Sequence, residues 1–218
     1  MPKSQKYVFL YALIITFVVF NFGIYMGYRL ESYRVEKIDN MYFESEMLLL
    51  DQRIQRDSLE FIGLNCNSLI KENIKFADKV YEEALTIQKY ENANRINSEV
   101  ILQHKRYDLL RTLFWINSIR IKEKCKSDYH NIVYIYQYND PSLDQKAQQR
   151  VFSKILEELK AKKGDEIMLI PLAGDNDLSS INLLMEKYEI TSLPVILIDE
   201  KVRIENVETL EDIEKHLE

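Results

Sequence analysis

Glycine, proline and cysteine are all scarce in this chain of 218 residues, at five, four and two respectively. So few chain breakers leave no place for long flexible linkers, and most of the sequence must lie in regular elements. The two cysteines, Cys66 and Cys125, stand in neither a Cys-x-x-Cys nor a zinc-type spacing. The three histidines, His104, His130 and His216, are scattered and have no histidine or cysteine four residues away. No metal site and no cofactor are therefore expected. Basic charge is also short: 29 Lys and Arg stand against 35 Asp and Glu, a net of −6, with no basic cluster. Nucleic acid is excluded as a partner on that ground, since binding it rests on clustered cations that neutralise phosphates. No glycine-rich loop is present to cradle a phosphate. What the chain has in quantity is aromatic bulk, 14 Tyr and nine Phe.

Residues 7–28 carry no charge and no proline. They are dominated by Leu, Ile, Val and Phe, with Tyr7, Tyr11, Tyr25 and Tyr28 toward the two ends. As a helix they span roughly 33 Å, the thickness of a bilayer's hydrocarbon core, with tyrosines at the interfaces. No small-x-small cleavage site follows, and the run exceeds a signal-peptide core. Residues 1–30 thus read as an uncleaved transmembrane anchor in contact with membrane lipid through residues 7–28. Lys3 and Lys6 flank one side and Arg29, Arg34 and Lys37 the other. The short basic tail favours an inside N-terminus, leaving the bulk of the chain extracytoplasmic in a single-pass cell-membrane protein.

Residues 31–128 read as a helical hairpin or stalk in three segments. The first continues to about Glu60, with Val35, Ile38, Met41, Leu48 and Ile54 in an imperfect repeat. The second covers about Asn67–Tyr90, where Leu69, Ile70, Ile74, Ala77, Val80, Tyr81, Ala84 and Ile87 recur at helical spacing. Asn92, Asn94 and Asn97 mark the turn after it. The third covers about Ile96–Lys124, where Val100, Gln103, Tyr107, Leu110, Phe114, Asn117 and Ile121 follow a coiled-coil-like three–four seam. Gln103 and Asn117 read as register-setting residues on that seam. The stalk also offers a surface for homo-oligomers. Phe114 and Trp115 are adjacent and cannot both face the hairpin, so one must pack on the following domain or a partner. Antiparallel packing brings Cys66 and Cys125 to neighbouring helix ends, which predicts a disulfide and, with it, an oxidising compartment.

Residues 129–218 change character. Asn131–Tyr138 is a β-rich run ending at Asn-Asp-Pro. A helix to about Lys162 follows, started by Asp140 before Pro141 or by a capping box of Ser142 and Gln145. Val151, Ile155, Leu156 and Leu159 should face inward, and Gly164 should end the helix. Glu166–Leu172 is a second strand. Asp177 is expected to cap a short helix bearing Ile181, Leu184, Met185 and Tyr188. Pro194 then opens a strand, Val195–Ile198, buried on both faces. Lys201–Glu205 pairs back on it, and Thr209 with Asp212 caps a final helix bearing Leu210, Ile213 and Leu217. The fold class is α+β overall, with this last part in the order βαβαββα.

That order, with Tyr-Glu-Ile-Thr-Ser-Leu-Pro-Val-Ile-Leu-Ile-Asp leading through Pro194, resembles the thioredoxin fold over residues 129–218. The whole layout is also similar to archaeal membrane proteins that place a helical segment between an anchor and a thioredoxin-like domain. The resemblance implies a cis Pro194 facing a Cys-x-x-Cys motif at the first helix start. Here that place holds Pro141, Ser142, Leu143, Asp144, Gln145 and Lys146, without cysteine. Thiol–disulfide exchange needs a thiolate, so this domain cannot perform it. Ser142 could serve glutathione-transferase chemistry, but capping explains it more simply. Asp175-Asn176-Asp177, with Glu186 further on, mimics an EF-hand spacing, yet Ser180 stands where the loop needs glycine. Glu82–Glu83 and Glu157–Glu158 read as solvated helix faces, and His104 and His130 as surface or boundary residues.

The expected function is protein binding or scaffolding by a redox-inactive, membrane-anchored domain. Leu193, Pro194, Tyr138 and Leu143 would line a groove for an extended peptide. Two alternatives stand beside it. One is a thiol–disulfide oxidoreductase or redox partner using Cys66 and Cys125, and the other is an accessory subunit of a membrane complex.

Overall fold

The computed structural model describes residues 4–61, 65–93 and 98–217. In chain order the elements are α1 (Ser4–Phe61), α2 (Cys66–Ala93), α3 (Ser98–Cys125), β1 (His130–Tyr136), α4 (Leu143–Lys163), β2 (Ile167–Ala173), α5 (Ser179–Lys187), β3 (Val195–Ile198), β4 (Val202–Ile204) and α6 (Glu211–Glu214). The chain is thus mixed α+β, and it divides into two compact units, Met1–Glu46 and Met47–Glu218.

The first unit holds one helical segment, Tyr7–Tyr33, long and apolar enough to cross a membrane. Its large apolar side chains, from Tyr7 and Val8 through Phe20 to Tyr28 and Leu30, are exposed. A patch of that extent on a water-soluble surface would be costly, whereas lipid accommodates it. Thr16, Asn21 and Ser32 donate their side-chain hydrogens to the carbonyls of Ala12, Phe17 and Tyr28, four residues back. Those three side-chain donors are thereby satisfied within the helix itself.

The second unit is built on a four-stranded sheet in the order β2-β1-β3-β4. β1 and β2 are parallel, with Ile132 opposite Leu169 and Tyr134 opposite Pro171. β3 runs antiparallel to β1, and β4 antiparallel to β3. One face buries Ile132, Tyr134, Ile196 and Ile198 against Phe152, Ile155, Leu156 and Leu159 of α4 and Ile213 of α6. The other buries Val133, Ile135, Met168, Ile170 and Leu197 against Ile181 of α5, Leu110, Phe114 and Trp115 of α3, and Phe76 and Val80 of α2. All of Val195–Ile198 is buried, as its composition predicts.

α3 packs against both α2 and the sheet, and its residues serve both. Phe114 meets Phe76 at 5.4 Å between ring centroids. Trp115 turns the other way, lies 5.4 Å from the Tyr188 ring, and donates Nε1–H to Glu200 Oε1 at 2.6 Å. The expected split of the two aromatics is therefore observed. Asn117 donates to Gln52 Oε1 at 2.8 Å, so it joins the seam to the end of α1. Ile54, from the same imperfect repeat as buried Leu48, is exposed. Cys66 and Cys125 are disulfide-bonded, tying the start of α2 to the end of α3. The division read from sequence at 128/129 falls inside this unit, because Leu110, Phe114 and Trp115 share one core with Val133 and Leu197.

Local expectations fared unevenly. α4 starts with the Ser142–Gln145 capping box rather than at Asp140, and Gly164 at φ 52 ends it. Val151 is 45% exposed, and Phe152, one position on, takes its place in the core. Asp177 does not cap α5: Leu178 is the N-cap residue, without a side-chain hydrogen bond, and Asp177 adopts φ 53. Asn92 belongs to α2, while Asn94 and Asn97 of the expected turn lie outside the described residues. Asp212 accepts the backbone N–H groups of Glu208 and Thr209, but the N-cap residue of α6 is Leu210, without a side-chain hydrogen bond, and not Thr209 as expected.

Candidate functional site

Two places in the second unit gather chemistry-bearing residues. The first is the turn around Pro194. The Leu193–Pro194 peptide is cis, and Pro194 is buried just ahead of β3. Leu193 packs inward: a β-carbon added at Gly174 would come within 2.9 Å of its Cδ1, which explains the glycine. Gln145 Nε2 donates to the Leu193 carbonyl at 3.5 Å, bringing the start of α4 beside the turn. Leu143 is 84% exposed at that helix start. The Ser142 hydroxyl oxygen accepts the Gln145 N–H at 3.2 Å. Tyr138, expected in the same groove, instead stacks on His104 at 3.8 Å.

That stacking leads to the second place, a cavity of about 520 Å³ beside β2. β2 is an edge strand, and α2 and α3 both pack against it. The Ala173 N–H donates to Asp108 Oδ1 at 3.4 Å, away from β1. Pro171, two residues earlier, shares that outward side, where a missing N–H leaves no ladder bond unmade. Tyr134, Leu169 and Pro171 form the sheet wall of the cavity. Tyr107 and Arg111 of α3, Tyr81 of α2, and Lys146, Gln149, Arg150, Lys154 and Glu157 of α4 are among the residues that complete it.

Behind the wall lies a buried polar network that places His104 in the interior, not at the surface or boundary as expected. Its Nδ1 lies 3.1 Å from Asp108 Oδ2 and 3.0 Å from Asn176 Nδ2. The carboxylate asks for an Nδ1–H and the amide for a bare nitrogen. Asn176 already donates to Asp108 Oδ2 at 2.6 Å, and the charge-assisted pairing of histidine with carboxylate is the stronger demand. Nε2 is then the acceptor, and the Tyr136 hydroxyl, at 3.0 Å, donates to it. Asp108, His104 and Tyr136 thus form a relay that orients one phenol at the cavity wall. Asn176 comes from the stretch that mimics an EF-hand, and Asp175 accepts the N–H groups of Tyr138 and Asn139. Those side chains hold a turn. Among the described residues no group of three His, Cys, Asp or Glu is placed to hold a metal ion.

The cavity is lined by phenols and by the cations Arg111, Lys146, Arg150 and Lys154. Burial pushes the Tyr134 phenol well above its ordinary value. Burial, then the charge of Glu157, does the same to Tyr81. Both stay neutral hydroxyls at any physiological pH. Arg111 is buried, contacts Asp108 Oδ1 only at 3.5 Å, and its Nε has no hydrogen-bond partner. The i,i+4 rows of sequence could have exposed this site: His104 with Asp108, and Lys146 with Arg150 and Lys154. The remaining partners come from β1 and β2, too far along the chain for spacing to reveal. No protein-family model matches this chain, and no curated protein is significantly similar to it.

Proposed function

We propose that the protein is a membrane-anchored, redox-inactive, thioredoxin-like binding protein whose second unit works on the extracytoplasmic side. The order β2-β1-β3-β4, a single parallel pair, and a cis proline beside the first helix start of the sheet unit support the thioredoxin-like reading. The apolar Tyr7–Tyr33 segment supports the anchor. The disulfide supports export, because such bonds persist in oxidising compartments.

One observation carries the choice of binding over redox chemistry. Both sulfurs are joined to each other between α2 and α3, while the helix start that faces Leu193–Pro194 holds Ser142 and Gln145 in a capping box. A thiolate cannot reach that turn, so the turn recognises rather than reacts. Leu143, exposed beside it, supplies an apolar contact for an extended segment of a partner protein. Photo-crosslinking from position 143 in native membranes tests this. A discrete adduct is expected at position 143 and none at Leu183, an exposed site on α5. Insulin reduction by the full-length protein that disappears in Cys66→Ser would overturn the reading in favour of an oxidoreductase.

A further inference from the structure

We infer that the cavity between α3, α4 and the edge strand β2 is a binding site for a small organic anion carrying a planar ring and a hydroxyl or amine donor. This does not rest on the peptide reading above, which concerns the Pro194 turn.

Size comes first. About 520 Å³ lies in the range of small-molecule pockets and is too confined for a folded partner. The ring follows from the lining: Tyr81, Tyr107, Tyr134, Tyr136 and Tyr138 supply five aromatic side chains for stacking and edge contacts. The charge follows from the cations. Lys146, Arg150 and Lys154 repeat at four-residue steps along α4 and all line the cavity. Like charges at that spacing repel one another, a cost that a bound anion would reverse. Among the described residues none of the three has an ion-pair partner, and Glu157 is the one carboxylate in the lining.

Arg111 supplies the anchor. It is only 5% exposed and lines the cavity, yet its Nε is without a hydrogen-bond partner and its contact with the Asp108 carboxylate is long, at 3.5 Å. A buried guanidinium with a spare donor at Nε is matched by an oxygen of a carboxylate or phosphate. The donor on the ligand is required by Gln149. Its Nε2 is spent on the Gln137 carbonyl, and its Oε1 is buried in the lining without a hydrogen bond. An unmet acceptor there is costly until a ligand O–H or N–H reaches it.

Titration calorimetry on the full-length protein in lipid nanodiscs tests the assignment. The probes are adenosine 5′-monophosphate and 4-hydroxybenzoate, each beside its neutral counterpart, adenosine and 4-hydroxybenzyl alcohol. At least one anion should bind saturably and about tenfold or more tighter than its counterpart. Binding of the monophosphate alone identifies a phosphate ester, and of the benzoate alone a carboxylate. Arg111→Gln should weaken binding by a similar factor. Should that buried change unfold the protein, the exposed triple variant Lys146→Ala, Arg150→Ala, Lys154→Ala carries the test and should also bind about tenfold more weakly. Equal affinity for charged and neutral probes, no saturable binding up to about 1 mM, or unaltered binding in the triple variant would overturn the assignment.

Discussion

Asp199 and Glu200 are adjacent carboxylates that respond to pH in opposite ways. Both sit in the β3–β4 turn at left-handed φ, 47 and 59, where glycine or asparagine is usual. Such backbone persists only when its surroundings over-determine it. Here they do. Lys122 and His130 reach the Asp199 carboxylate from α3 and β1, and the Asn131 N–H donates to it. Trp115 and Asn131 donate to Glu200. Burial alone would raise the Asp199 carboxyl, but those three hydrogen bonds and the Lys122 charge outweigh it and hold the group below its ordinary value. Burial wins at Glu200, which is raised despite its two donors. A lowered carboxyl adds stability above its unfolded value and loses it as pH falls through the folded one. A raised one does the reverse: the native state holds the extra proton, and stability drops as pH rises through the folded value. Asp199→Asn should therefore cost about 1.5–3 kcal/mol at pH 7 by urea unfolding, and the gap should narrow once pH falls below the ordinary aspartate value. Glu200→Gln, which keeps an acceptor for Trp115, should gain relative to wild type as pH rises from 4 to 7. A Glu200→Gln profile parallel to wild type would contradict the raised carboxyl.

The helices show most clearly where sequence pattern carries structural information. The α3 seam was legible because Tyr107, Leu110, Phe114, Asn117 and Ile121 recur within one helix, and all five are buried. His104, Asp108, Arg111, Trp115 and Ser118 are buried as well, on the side facing the sheet. A helix covered on two sides, with Leu102, Leu109 and Arg120 left exposed, has a core-facing arc wider than one apolar seam, so the seam spacing hid half of its interface. The same blindness moved Val151 into the core in place of Phe152: a helical period tolerates a one-residue slip where both neighbours are apolar. Capping chemistry is local and was readable, though only as one of two alternatives. Ser142→Ala removes one half of the α4 capping box and should destabilise by about 1 kcal/mol. Calorimetry should show the melting point of the second unit falling by about 2–4 °C, and no change would mean that packing of Phe152 and Leu159 alone holds the helix end.

At the scale of the whole molecule, the apolar Tyr7–Tyr33 segment and the disulfide were both foreseeable, the first from composition and the second from antiparallel packing. The cavity was not, because it exists only once α2, α3, α4 and β2 are assembled. The Cys66–Cys125 bond has a sequence separation of 59. Restricting the unfolded chain by a loop of that size stabilises by about 4 kcal/mol in the chain-entropy model. Cys66→Ser with Cys125→Ser should lower the urea midpoint accordingly, and a loss below about 1 kcal/mol would point to native strain offsetting the cross-link. The bond also makes residues 66–125 a covalent ring. A protease that cuts this ring once cannot release anything, because each side of the cut stays joined through the sulfurs. Shedding of the sheet-bearing part from its N-terminal segment would need a cut before Cys66, a cut after Cys125, or a cut inside the ring together with a reductant. Limited proteolysis inside the ring should therefore yield one band on a non-reducing gel and two after reduction.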